Sequence, residues 1–138
     1  MVSKGSTTVR QIMTTELVTV DPSITVIEAA RAMSAGHAGS VLVVQHGALV
    51  GIFTERDMLR AMAQSSKADA ARMSPVSESM TRDPLTVAPD TPVGEALDQM
   101  LTGGFRHLPV MEADALLGMV SMRDLAKSIS KEHPAHRG

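Results

Sequence analysis

The chain has 138 residues, 43% of them hydrophobic, with a formal net charge of -2 and no cysteine. That length suits one ordinary domain or two small halves sharing a core, and the missing cysteines exclude disulfides and thiolate metal sites. No basic run appears, Phe53 and Phe105 are the only aromatics, and no apolar run approaches the ~20 residues that span a bilayer, which argues against nucleic-acid and membrane partners.

The opening MVSKGSTTVR has no apolar core, so the expectation is a soluble cytoplasmic protein. The first short apolar run, Leu17 to Val20, reads as a strand ending ahead of Pro22. Val26, Ala29, Ala30 and Met33 then recur at helical spacing. Thr25 with Glu28 resembles a capping box, and Gly36 closes the helix. SVLVVQ and LVGIFT follow as two strands turning about Gly47, and a second helix is expected from Thr54. Ala63 to Pro75, rich in Ala and Ser, reads as a connector.

The series then begins again. LTV (Leu85 to Val87) reads as a strand, and Pro92 suits a first helical position. Val93, Ala96, Leu97 and Met100 mark the helix, which Gly103-Gly104 closes. HLPVM and LLGMVS form strands about Asp114, and a helix is expected from Ser121. The polar tail KEHPAHRG is expected to fray; His133 and His136 have a spacing seen in metal ligands, but a polar tail with a proline between them favours no zinc site. Eleven methionines fill gaps that aromatics would otherwise take.

Offset by 67 positions, Met13 to Met58 aligns with Met80 to Leu125 without a gap, and 16 of the 46 pairs are identical. The chain is therefore two copies of one strand-helix-strand-strand-helix unit. A unit of this size cannot easily bury a sheet and two helices alone. The expected fold is mixed α/β (α+β), two β-α-β-β-α repeats packed sheet to sheet about a pseudo-twofold axis, with residues 1–8 and 133–138 as flexible termini.

Within each copy one phrase stands out: GIFTERD (Gly51 to Asp57) and GMVSMRD (Gly118 to Asp124). A carboxylate only accepts hydrogen bonds. A helix starting at Thr54 or Ser121 offers free N–H groups and a partial positive charge to a phosphate. The glycine would let a ligand approach the backbone. Thr-x-x-Asp is equally a capping box that needs no ligand.

The tandem copy, the element order, GIFTERD and RHLPV (Arg106 to Val110) together resemble the CBS domain, two of which form a Bateman module. The resemblance covers 9–65 and 74–132 as the two repeats. It implies clefts between repeats that bind AMP, ADP or ATP, with S-adenosylmethionine or NAD lower in rank. One site would use Ile52, Thr54, Arg56 and Asp57 with Thr86, Val87, Arg106 and His107. The other would use Met119, Ser121, Arg123 and Asp124 with Thr19, Val20, Gly39 and Ser40. Gly39 and Ser40 replace a basic pair there, so the resemblance ranks the Asp57 site first for phosphate.

No Walker loop and no nucleophile-base pair stand out, so no enzyme activity and no required cofactor are expected. Two functions remain: a stand-alone adenine-nucleotide sensor acting on a protein partner in trans, or a ligand-free CBS dimer serving as an interaction scaffold. Met58, Leu59, Met62 and Leu125 suggest surface for a homodimer.

Overall fold

The computed structural model describes residues 7–64 and 67–132. In chain order its elements begin with α1 (Val9–Ile12), β1 (Thr19–Val20), α2 (Val26–Ala35), β2 (Ser40–Gln45), β3 (Ala48–Thr54) and α3 (Glu55–Gln64). They continue with α4 (Ala68–Met73), a 3₁₀ turn (Val76–Glu78), β4 (Thr81–Arg82), α5 (Val93–Gly103), β5 (His107–Glu112), β6 (Ala115–Ser121) and α6 (Met122–Glu132). They fall into two bodies. One holds Leu17–Pro84; the other joins the chain's start, through Glu16, to the stretch from Leu85 onward.

In the first body the sheet runs β1-β2-β3-β4, with β1 parallel to β2 and the other pairs antiparallel. Val41, Leu42 and Val43 are fully buried, as a near-continuous apolar run on a central strand requires. His46 and Gly47 both take positive φ, 53° and 78°, the left-handed pair of a tight hairpin turn. Helix α2 begins with the expected capping box: the Glu28 N–H donates to Thr25 Oγ1 at 3.2 Å, and the Thr25 N–H donates to Glu28 Oε1 at 3.0 Å. The Thr25 N–H, with the Thr25 hydroxyl that also donates to Glu28 Oε1 at 3.0 Å, holds the Glu28 carboxyl pKa below its ordinary value. Val26, Ala29 and Met33 line one helical stripe and pack with Val41, Val43, Phe53, Val76 and Met80.

The second body repeats this plan with a reduced sheet. Its hairpin, β5 with β6, is flanked by single bridges, Val87 to Val110 and Thr14 to Met119. These are the equivalents, 67 positions on or back, of Val20 to Val43 and Thr81 to Ile52. The expected strand at Leu85 to Val87 is thus only a bridge, and the reason is one proline. In the first body the Leu42 N–H donates to Val18 O at 2.9 Å; Pro109 occupies the position of Leu42 and has no N–H to give. The core here is Val9, Val87, Val93, Ala96, Met100, Leu108, Val110, Val120 and Leu125.

The bodies are cut differently from the sequence copies. Val76, Met80 and Thr81 lead the second copy yet belong to the first body. Their equivalents Val9, Met13 and Thr14 lead the first copy yet belong to the second. The leading segments are exchanged. The repeated glycines explain how they fit. A Cβ on Gly51 would lie 2.5 Å from Met80 Sδ and 2.9 Å from Thr81 O; one on Gly118 would lie 2.7 Å from Thr14 O and 2.8 Å from Met13 Sδ. At both glycines the room for a Cβ is taken by the chain's own exchanged segment.

Other expectations need correcting. Pro92 is the residue before the helix, with ψ 143°, and Val93 is the first helical one. The connector is not featureless, because α3 runs to Gln64 and α4 occupies Ala68–Met73. Thr8, assigned to a flexible terminus, caps α1 and bridges to Pro92. Leu125 is fully buried and offers no surface, whereas Leu59 is 67% exposed. Residues 1–6 and 133–138, His133 and His136 among them, lie outside the described residues.

Candidate functional site

Each body carries one copy of the repeated phrase at a strand-to-helix junction. In the first body, β3 ends at Thr54 and α3 starts at Glu55. The Thr54 N–H and hydroxyl donate to Asp57 Oδ2 at 3.0 and 3.1 Å, and the Asp57 N–H donates back to Thr54 Oγ1 at 3.2 Å. The second oxygen, Oδ1, accepts from Arg60 at 3.4 Å and from the Thr81 hydroxyl at 3.3 Å. Asp57 is only 3% exposed, so its carboxylate faces protein on both oxygens.

The second junction, between β6 and α6, is built the same way and finished differently. The Ser121 N–H donates to Asp124 Oδ2 at 3.0 Å, and the Asp124 N–H donates to Ser121 Oγ at 3.1 Å. Among the described residues, Asp124 Oδ1 accepts no hydrogen bond, and Asp124 is half-buried where Asp57 is buried. The capping-box reading holds for both copies; only the second leaves acceptor capacity over.

The expected groupings each draw half their residues from each body. The first body holds Thr19, Val20, Gly39, Ser40, Ile52, Thr54, Arg56 and Asp57. There Ser40 stands opposite Thr54 in the β2–β3 ladder, and the Gly39 carbonyl accepts the Glu55 N–H at 3.2 Å. The second body holds Thr86, Val87, Arg106, His107, Met119, Ser121, Arg123 and Asp124. There His107 stands opposite Ser121, and the Arg106 carbonyl accepts the Met122 N–H at 2.8 Å. The basic pair Arg106-His107 therefore borders the Ser121–Asp124 junction within one body, and the side chain of Arg106 is exposed. Two residues that sequence reasoning missed, Arg60 and Thr81, engage Asp57. Arg60 was legible three positions along the helix; Thr81 lies 24 residues away and gave no local signal.

Among the described residues no group of three His, Asp or Glu side chains could hold a metal ion, and no helix is long and apolar enough to cross a membrane.

A family model described as "CBS domain" matches residues 9–64 and 76–131. The chain is 42% identical over 135 residues to an uncharacterized 17.7 kDa protein of Acidianus ambivalens, covering 96% of this chain and 79% of that one. It is 36% identical over 126 residues to the CBS domain-containing protein CBSCBSPB5 of Arabidopsis thaliana, covering 91% of this chain and only 22% of that longer protein. Among solved structures, a CBS-domain containing protein from Agrobacterium tumefaciens superposes with TM-score 0.85 at 30% identity, covering 94% of this chain and 98% of that one. The CBS domain pair of protein MJ0100, in complex with 5′-methylthioadenosine and S-adenosyl-L-methionine, gives TM-score 0.82 at 26% identity, covering 92% and 98%.

Proposed function

Because this chain belongs to the CBS-domain family, we propose that it is a regulatory module that binds adenine nucleotides of the AMP, ADP or ATP type and acts on a protein partner in trans. The proposal treats 9–65 and 74–132 as two repeats of one Bateman module, with no catalytic step of its own. One observation carries it: a carboxylate held at a helix start by the same backbone bond in both bodies, Thr54 to Asp57 and Ser121 to Asp124. A fixed carboxylate suits ribose hydroxyls, and the helix start with a nearby basic pair suits a phosphate. The adenosine derivatives bound by the MJ0100 pair support the choice of ligand class. S-adenosylmethionine ranks lower here because it has no phosphate for Arg106 and His107 to meet, and NAD ranks with it.

A thermal-shift panel of AMP, ADP, ATP, NAD and S-adenosylmethionine tests the reading. A nucleotide that binds only the folded state adds ~2.7 kcal/mol at 100 times its dissociation constant. For a chain of this size that raises the melting temperature by roughly 5 to 15 °C. AMP is expected to stabilise more than adenine alone. No shift with any nucleotide at millimolar levels favours the alternative, a ligand-free interaction scaffold.

The same proposal has the chain pairing as a homodimer. Leu59 on α3 and Met73 after it on α4 are 67% and 65% exposed, apolar surface that a second copy would cover. Light scattering at tens of micromolar is expected to report twice the chain mass, and a monomer there counts against pairing.

A further inference from the structure

Two prolines make one face of the second body unlike its counterpart in the first. Pro109 cannot give the Leu85 carbonyl the bond that Leu42 gives Val18. The incoming segment makes its first backbone bonds at Val87, whose N–H donates to Pro109 O at 3.0 Å and whose carbonyl accepts the Met111 N–H at 2.9 Å. In the first body Val18 packs against the core and stands over Gly36, where a Cβ would lie 2.7 Å from Val18 Cγ2. Leu85, its equivalent 67 positions on, is 47% exposed, and Phe105 stands over Gly103 instead. An open groove of about 410 Å³ results, between Leu85, Phe105 and the last turns of α5.

Pro92 changes the charge of the same face. The Thr25 N–H and hydroxyl hold Glu28 in the first body; Pro92, in the position of Thr25, has neither donor. Asp98 stands in the position of Arg31, the cation beside Glu28. Glu95 and Asp98 are both exposed, and among the described residues neither carboxylate has a hydrogen-bond or ion-pair partner. Both line the groove, and no Lys, Arg or His lines it with them. The result is an apolar groove with an acidic rim.

We infer that this groove is the docking surface for the protein partner. It takes a peptide segment that seats an apolar side chain between Leu85 and Phe105 and sets a lysine or arginine against Glu95 and Asp98. The inference rests on the reading of the chain as a module acting in trans, and names where the partner touches it. Charge complementarity selects the occupant: an acidic segment would meet two carboxylates, and a wholly apolar one would leave both without a counter-charge. An apolar anchor inside a polar rim is also how small protein interfaces are built.

Titration of the isotope-labelled full chain with synthetic hexapeptides, followed by NMR, tests this. An acetylated, amidated peptide alternating lysine and leucine is expected to shift the amides of Leu85, Gly103 and Phe105 saturably; lysine–serine and glutamate–leucine peptides are not. Leu85→Ser should weaken the lysine–leucine peptide by roughly 5- to 30-fold, as loss of a half-exposed leucine does, with the melting temperature within about 3 °C of the parent. Glu95→Gln/Asp98→Asn should weaken it by roughly 2- to 30-fold and remove most of its salt dependence. Shifts centred elsewhere, equal shifts from a control peptide, or no saturable shift at millimolar peptide overturn the assignment. Movement of the same amides with protein concentration alone means that a second copy covers the groove, and overturns it too. Melting the same sample with AMP separates this inference from the ligand reading. A rise with AMP beside a silent groove strikes the docking surface alone. Peptide binding at the groove with no rise supports the docking surface and turns the function towards the scaffold.

Discussion

Deleting the chain through Glu16 is expected to unfold the C-terminal copy rather than the copy to which that segment belongs by sequence. Val9 is fully buried in the core of the second body, which is a contribution of about 1.5 to 3 kcal/mol. Its N–H donates to Thr91 O at 2.8 Å and that of Arg10 to Pro89 O at 2.9 Å, while Thr7 O accepts the Val93 N–H at 2.9 Å. Thr14 and Met119 exchange two more backbone bonds, and each of the five adds about 0.5 to 1.5 kcal/mol. The ion pairs of Arg10 with Asp90 and Glu112 are exposed and add little. The loss totals about 4 to 10 kcal/mol, comparable to the whole stability of an ordinary domain. Hydrogen exchange reads the outcome residue by residue: amides of β5 and β6 should lose protection while those of β2 and β3 keep theirs. Protection lost in β2 and β3 instead would contradict the segment exchange.

Gly118→Val is the second large effect. The Cβ alone would sit 2.7 Å from the Thr14 carbonyl oxygen, and that atom is backbone, so no change of rotamer relieves the overlap. Two further methyl groups then press on Met13 and Thr14. Overpacking of this kind costs about 3 kcal/mol, a fall of roughly 6 to 15 °C in melting temperature. Gly94 supplies the control. It lies in α5 with nothing within 4 Å of an added Cβ, and Gly94→Ala should be neutral or stabilise by up to about 1 kcal/mol. If Gly118→Val melts like the parent, the exchanged segment does not pack on β6 as described.

These effects mark the boundary of what could be read from residues in order. The caps, hairpins and helical stripes were legible because each depends on partners a few positions apart: Thr25 with Glu28, His46-Gly47, and Val26 with Ala29 and Met33. The repeat and the family it resembles were legible because the offset of 67 is uninterrupted. The weakened strand at Leu85 to Val87 was readable in principle, since Pro109 aligns with Leu42 and removes one donor. The exchange of leading segments was not, because the short apolar sets around Val9 and Val76 do not say which body they join, and their cores are built from distant chain. For the same reason the repeated glycines read as room for a ligand, although Met13 and Met80 already stand over them. The unequal carboxylates were equally hidden, since Arg60 and Lys127 look alike in sequence and differ only in whether they reach the Asp three positions before.

Whether this chain binds adenine nucleotides at its strand-to-helix junctions is tested most directly by a crystal structure of the full chain grown with AMP. The expected result is a nucleotide whose ribose hydroxyls lie about 2.5 to 3.0 Å from the carboxylate of Asp57 or Asp124. A nucleotide bound away from both carboxylates, or crystals without nucleotide at saturating AMP, would contradict it.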